Sequence, residues 1–250
     1  LLFLFVNAFK SNNEIIASPV ALPEHWTLQY IKTAMEAINF GKALGLTFII
    51  TFFSILLLVI VSSFAAWAMV RSKTILSNIV FLCFTAAMLV PFQSLMYPLL
   101  SVFEKMGLKN VQGLILMYGG FGLSMSVFLY HGFIKSVPAS LEEAAVLDGA
   151  NLFQMFFKVV FPLLKGTTVT VIVLNGMWIW NDYLLPFLVI GNKTGSKTLT
   201  LELYFAKLTS GQYGNPWELI FPAVFVTIIP IIILYIFLQK YIVDGVSEGA

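Results

Sequence analysis

The chain has 250 residues, 59% of them hydrophobic and only 10% charged, with a mean hydropathy of +0.92. Soluble domains carry about 25% charged residues, so this chain has too little polar surface to coat a water-facing globule. The net charge of +2 gives no basic field for nucleic acid, and the single cysteine, Cys83, excludes an internal disulfide or a multi-cysteine metal site. The histidines, His25 and His131, lie far apart in sequence, so no local His-pair metal site is expected.

A crossing helix needs about 20 mostly apolar residues. Uncharged stretches at least that long lie between Lys42 and Arg71, Lys73 and Glu104, Lys109 and Lys135, and Glu218 and Lys240. A fifth, between Lys165 and Lys193, is interrupted only by Asp182. Residues 1–9 are apolar but too short to cross, and read as the tail of a truncated first helix. A secretory signal peptide, the other reading of such a start, needs a basic flank and a small-residue cleavage site. Neither occurs. The pattern predicts an all-α, polytopic membrane helix bundle forming a single domain. Its spans fall at about 1–9 (partial), 43–70, 74–103, 111–134, 166–190 and 219–240.

With six helices, the turn at 72–73, the stretch 136–165 and a tail at 243–250 share one side of the membrane. The Lys and Arg residues divide nearly evenly between the two sides, so charge bias does not set the orientation.

The polar stretch 136–165 is the most informative. Ser140 followed by Glu143 has the spacing of a capping box, which predicts a helix starting there. Glu142 and Glu143 fall in its first turn, where carboxylates suit the positive end of the helix dipole. Gly149 can take the left-handed conformation that ends a helix, and a second short helix can follow as far as Pro162. Two readings of this helix–turn–helix stay open on its residues alone. It can rest on lipid headgroups as an amphipathic element, or present its small Ala144-Ala145 face to another protein.

Glu143-Ala144-Ala145, three residues, Gly149, nine residues, then Val159-Val160-Phe161-Pro162 resembles the EAA signature of importer-type ABC permeases, with spacing matched throughout. Val159 and Phe161 replace the signature's Ile and Leu and remain apolar. The resemblance implies a type I ABC importer fold in which this loop is cytoplasmic and docks on an ATP-hydrolysing subunit. Ser140, Glu142, Glu143, Ala144, Ala145, Asp148, Gly149 and Pro162 would carry that coupling. Asp148-Gly149-Ala150, Trp180-Asn181-Asp182-Tyr183 and the tail Gln239-Lys240-Tyr241…Gly245-Val246-Ser247-Glu248-Gly249-Ala250 are similar to carbohydrate-uptake permeases of the maltose type, in particular the smaller, six-helix subunit.

That likeness implies a second, larger permease, a dimeric ATP-binding cassette ATPase that holds ATP and Mg, an extracytoplasmic sugar-binding protein, and the cytoplasmic membrane of a bacterium or archaeon. It also implies that Gly245, Ser247 and Gly249 reach the ATPase. No GxxxxGK[ST] phosphate loop occurs in the chain, so no catalytic residue or cofactor is expected on it. The EAA loop also fits permeases for amino acids, peptides or ions. A secondary transporter would show paired broken helices in matching halves, and no such repeat is visible.

On the fifth span, Thr168, Asn175, Trp178 and Asp182 fall on one helical stripe, interrupted by Val171, and are candidates for lining a translocation pathway. Asp182 is about 24 Å along a helix from Gly166, near the outer boundary, and can equally be an interfacial anchor. On the third span, Gln93 and Tyr97 are flanked by Pro91 and Pro98, which free backbone carbonyls and suggest a gate or lining. Thr47, Thr51 and Ser54, Gly41 and Gly45, and the run Gly119-Gly120-x-Gly122 are expected to pack helices together. His131 is expected to be a buried structural residue.

Overall fold

The computed structural model describes residues 1–191, 197–210 and 215–247, with side chains in 1–191, 197–208 and 215–237. Among the described residues there are helices and no strands. In chain order these are α1 (Leu2–Asn7), α2 (Asn12–Ala17), α3 (Gln29–Ala37), α4 (Phe40–Ser72), α5 (Ile75–Ala87), α6 (Phe92–Lys105) and α7 (Val111–Ile134). Then come α8 (Ser140–Leu147), α9 (Leu152–Met155), a π-helical turn at Phe156–Val160, α10 (Phe161–Leu163), α11 (Lys165–Asn181), α12 (Leu184–Val189), α13 (Leu199–Ser210) and α14 (Trp217–Ser247).

Among the described residues, α4, α7 and Trp217–Phe237 of α14 are each long and apolar enough to cross a membrane, and two bent pairs bring the number to five if each pair counts as one span. The spans expected at 74–103 and 166–190 are therefore not single continuous helices, and the first is broken beside the prolines that mark it in the sequence. The α5–α6 pair bends by 105°. Its cause is Pro91, which has no N–H for the ladder and sits in an extended conformation before α6. The segment Leu152–Leu163 meets α11 at 77°.

The fifth span breaks again at Asp182. Pro186 cannot donate to the Asp182 carbonyl four residues back, and that carbonyl instead accepts the Thr200 hydroxyl at 2.7 Å. The Asp182 carboxylate meanwhile accepts the amides of Leu184 at 2.9 Å and Leu185 at 3.3 Å, capping α12.

The chain divides into two compact units, residues 1–50 with 180–235, and residues 51–179 with the last part of α14. In the first unit, Ala34 and Ile38 pack on Ala223 and Val226, while Ala43 and Trp180 pack with Leu199 and Ile231. Thr47 is a packing residue as expected: its hydroxyl donates to the Ala43 carbonyl at 2.8 Å and accepts the Leu199 amide at 2.9 Å. The loop after α1 is more ordered than its polarity suggests. Ser11 and Glu14 form a capping box on α2, and the Lys10 ammonium is buried against the Ser18 carbonyl at 2.8 Å.

In the second unit, the core gathers Val59, Ala66 and Trp67 of α4, Tyr130 and Ile134 of α7, and Phe156, Val160, Leu164 and Val171. Phe156 is fully buried, its ring 5.0 Å from Phe64 and 5.3 Å from Trp67. Thus the segment after α9 is held into the bundle by aromatic packing. The turn at 72–73 is as tight as expected, with Lys73 at a φ of +48° and Thr74 capping α5 through the Ser77 amide at 3.2 Å. His131 is buried and stacks on Phe81 at 3.6 Å.

Candidate coupling site

The loop with the EAA-like residues folds as a helix–turn–helix, but its first cap is not the expected one. Ser140 is the first residue of α8, the residue before it is Ala139, and no side chain caps this end. The carbonyl of Ala139 takes the amides of Glu142 and Glu143, both at 3.0 Å, and Ala139 is itself already in the right-handed helical conformation. The helix therefore starts one residue too early for a Ser140–Glu143 box. A real box lies in the next turn. Asn151 Oδ1 accepts the Gln154 amide at 2.9 Å, and Gln154 Oε1 accepts the Asn151 amide at 3.0 Å, starting α9.

The expected stop at Gly149 is present. Its φ is +81°, the Ala150 amide donates to the Ala145 carbonyl at 2.9 Å, and the Gly149 amide donates to that of Val146 at 3.0 Å. These two bonds make a Schellman ending.

The adjacent carboxylates do different jobs. Glu142 is 8% exposed and Glu143 is exposed. Glu142 Oε1 accepts Arg71 Nε at 2.8 Å and lies 2.8 Å from Arg71 Nη2, while its Oε2 accepts Trp67 Nε1 at 3.0 Å. Arg71 Nη2 also donates to the Val137 carbonyl at 3.0 Å, just before α8. Arg71 stands in the last turn of α4 and Glu142 in the first turn of α8. Each charge therefore also suits the dipole of its own helix.

Ala145 faces inward with Glu142, whereas Ser140, Glu143, Ala144, Val146, Leu147, Asp148 and Gly149 are exposed, Leu147 at 88%. Pro162 is exposed in α10. Arg71, Ala139, Glu142, Glu143, Val146, Leu147 and Met155 line an open concavity of about 470 Å³. Arg71 and Trp67 were not among the residues singled out from sequence. A signal was present, because Arg71 is the only arginine in the chain and Trp67 stands four residues before it, on the same helical face.

The candidate pathway residues are not gathered into one site. Tyr130 donates its hydroxyl to Thr168 at 2.9 Å. Asn175 is 4% exposed and donates to Ser126 Oγ at 3.1 Å and to the Val171 carbonyl at 2.9 Å. The Trp178 ring lies edge-on to Tyr118 at 5.4 Å. All three therefore meet one face of α7. Asp182 caps α12, and Gln93 and Tyr97 are exposed on α6. Gly119 and Gly122 pack closely on α4, as expected, but Gly41, Gly45 and Gly120 are open, with nothing near the position of a side chain. Of the tail residues, Gly245 and Ser247 belong to α14, which runs past the expected end of the span at 240. Gly249 lies outside the described residues.

Residues 58–248 match the protein family described as binding-protein-dependent transport system inner membrane component. The chain belongs to that family. The permease is 43% identical, over 99% of its own length and 89% of the relative's, to the probable starch degradation products transport system permease protein AmyC of Thermoanaerobacterium thermosulfurigenes. It is 35% identical to the multiple sugar-binding transport system permease protein MsmG of Streptococcus mutans, covering 100% and 90% of the two chains. A solved chain from a bacterial ABC transporter involved in the import of the acidic polysaccharide alginate superposes with a TM-score of 0.81 at 22% identity, over 96% of the permease and 88% of that chain. This likeness shows the type I importer fold. The permease is thus a multi-pass membrane transport subunit, and the secondary-transporter alternative falls away.

Proposed function

We propose that this chain is the smaller permease of an ATP-driven importer for a sugar or oligosaccharide in a bacterial or archaeal cytoplasmic membrane. It pairs with a second permease, receives its substrate from an extracytoplasmic binding protein, and draws energy from an ATPase dimer that holds ATP and Mg. The names of its relatives, permeases for starch degradation products and for multiple sugars among them, support the substrate class.

The observation that carries the coupling role is the geometry of α8. Its inner face is fixed by Glu142 and Ala145, and its outer face offers Glu143, Val146 and Leu147 around an open concavity. An exposed apolar rim beside a carboxylate fits a docking surface better than a solvated loop. ATP binding would then favour one membrane-facing state through this contact.

The test is to purify the permease with a tag, identify its partners by mass spectrometry, and reconstitute the complex. ATP hydrolysis should rise with binding protein plus a maltodextrin or raffinose-type sugar. Stimulation only by amino acids, peptides or ions would replace the substrate class, and absence of any ATPase among the partners would remove the coupling role.

A further inference from the structure

We infer that Arg71 and Trp67 are positioning residues for coupling, and that the joint they form with Glu142 is where motion of α8 enters the membrane helix α4. This deepens the proposed coupling role and rests on it.

A carboxylate as buried as Glu142 is costly unless its charge is paired and its lone pairs are used. Here both oxygens are used. Arg71 approaches Oε1 through two nitrogens, and the indole N–H of Trp67 serves Oε2. The two donors stand four residues apart on α4, so α8 is fastened at two heights along one helix face rather than at a single pivot. Arg71 adds a third tie through the Val137 carbonyl, which fixes the entry to α8. Trp67 is itself set by the core rings of Phe64 at 5.6 Å and Phe156 at 5.3 Å. Any displacement of the exposed side of α8 is therefore passed to α4 as a rigid movement. The guanidinium fork is needed for this, because a lysine offers a point charge without the paired geometry.

The joint is tested in the assembled complex with Arg71→Met, Arg71→Lys and Trp67→Phe. Trp67→Phe keeps the ring packing and removes only the donor. The first readout is the ratio of substrate-stimulated to unstimulated ATP hydrolysis, with thermal stability followed alongside. Arg71→Met should lower that ratio about tenfold, within the usual range of coupling between sites, and Trp67→Phe should lower it less. A variant that melts earlier but keeps the wild-type ratio would show that the joint is merely structural.

The second readout does not depend on the substrate. Spin labels at positions 72 and 147, in a Cys83→Ser background, should give one narrow distance that is unchanged when the ATPases are trapped closed with ATP analogue. In Arg71→Met or Arg71→Lys the distribution should broaden. A wild-type distance that changes on trapping, or an Arg71→Met distance as narrow as wild type, overturns the inference. If no sugar stimulates the wild-type complex, the substrate reading fails while the distance measurement still decides the joint.

Discussion

Asn175 Nδ2 donates to Ser126 Oγ across the contact between α11 and α7 at 3.1 Å, and its Oδ1 lies over Gly122 so closely that an added Cβ there would sit 2.5 Å from it. The amide thus fills the notch that a glycine leaves. In a membrane, where apolar burial does not drive helices together, such close approach and interhelical hydrogen bonding hold the bundle.

This notch makes a contrast testable. Gly122→Ala would also meet Leu58 Cδ1 at 2.7 Å, so it should destabilise the permease by about 1–3 kcal/mol through overpacking. Gly45→Ala meets nothing within 4 Å and should be neutral or gain about 0.5–1 kcal/mol from helix propensity. Unfolding of the two variants in detergent should rank them in that order. Equal stability would mean that α7 and α11 are not locked at Gly122.

The coupling loop offers a second prediction. At Gly149 there is open space around the missing side chain, so the penalty of substitution comes from the backbone alone. Holding Gly149→Ala at its φ of +81° should cost about 1–2 kcal/mol. Asn151→Ala removes the cap of α9 and should cost about 1 kcal/mol. Both should raise hydrogen exchange in α8 and α9 before they affect α7, and exchange unchanged in both variants would place the loop's order elsewhere.

Much of this was legible in the sequence. The apolar intervals mark the long apolar helices and the two bent pairs, and Gly149 marks the end of α8. Other features depend on tertiary position. Glu142 and Glu143 are neighbours of one type, and only the arrival of Arg71 beside α8 decides which is buried. The Ser140–Glu143 box does not form because Ala139 is already helical and Ser140 falls inside α8, whereas Asn151 and Gln154, with the same spacing, do form one. The breaks at Pro91 and at Asp182 with Pro186 were marked by proline, but a proline does not say how far the chain bends.

The loop after α1 should respond to acid. The Glu14 carboxyl is held below its ordinary value by the Ser11 amide first, then the Glu24 amide and the Ser11 hydroxyl, with Lys10 adding attraction and burial opposing. A lowered native value means the stabilisation is complete above the unfolded carboxyl value of about 4.3 and is lost as pH falls through the native value. Protection of the Ser11 and Glu24 amides, taken relative to the intrinsic exchange rate at each pH, should therefore fall on acidification, and Glu14→Gln should remove that fall. Protection at those amides that stays constant down to acid pH in the wild type would contradict the assignment.

The last prediction separates packing from pathway on α11. Thr168, Asn175 and Trp178 all meet α7 here, which favours packing in this conformation. Sugars are held through hydroxyl hydrogen bonds and apolar ring faces, chemistry that an amide and an indole could supply if α7 moved away. Asp182 already uses both carboxylate oxygens to cap α12. Single cysteines at 175, 178 and 182, in a Cys83→Ser background, can be challenged with a membrane-impermeant thiol reagent. If α11 lines the pathway, position 175 should label in one nucleotide state and be protected in another. If the contact is permanent packing, 175 should stay protected in every state, with transport intact. Labelling at 178 is less decisive, because Trp178 is already 43% exposed. Position 182 reports on its own question: Asp182→Asn should keep part of the cap and most of the transport, while Asp182→Ala should loosen α12. Protection at 175 with transport intact assigns the stripe to the α7–α11 contact and leaves sugar recognition to other surfaces of the importer.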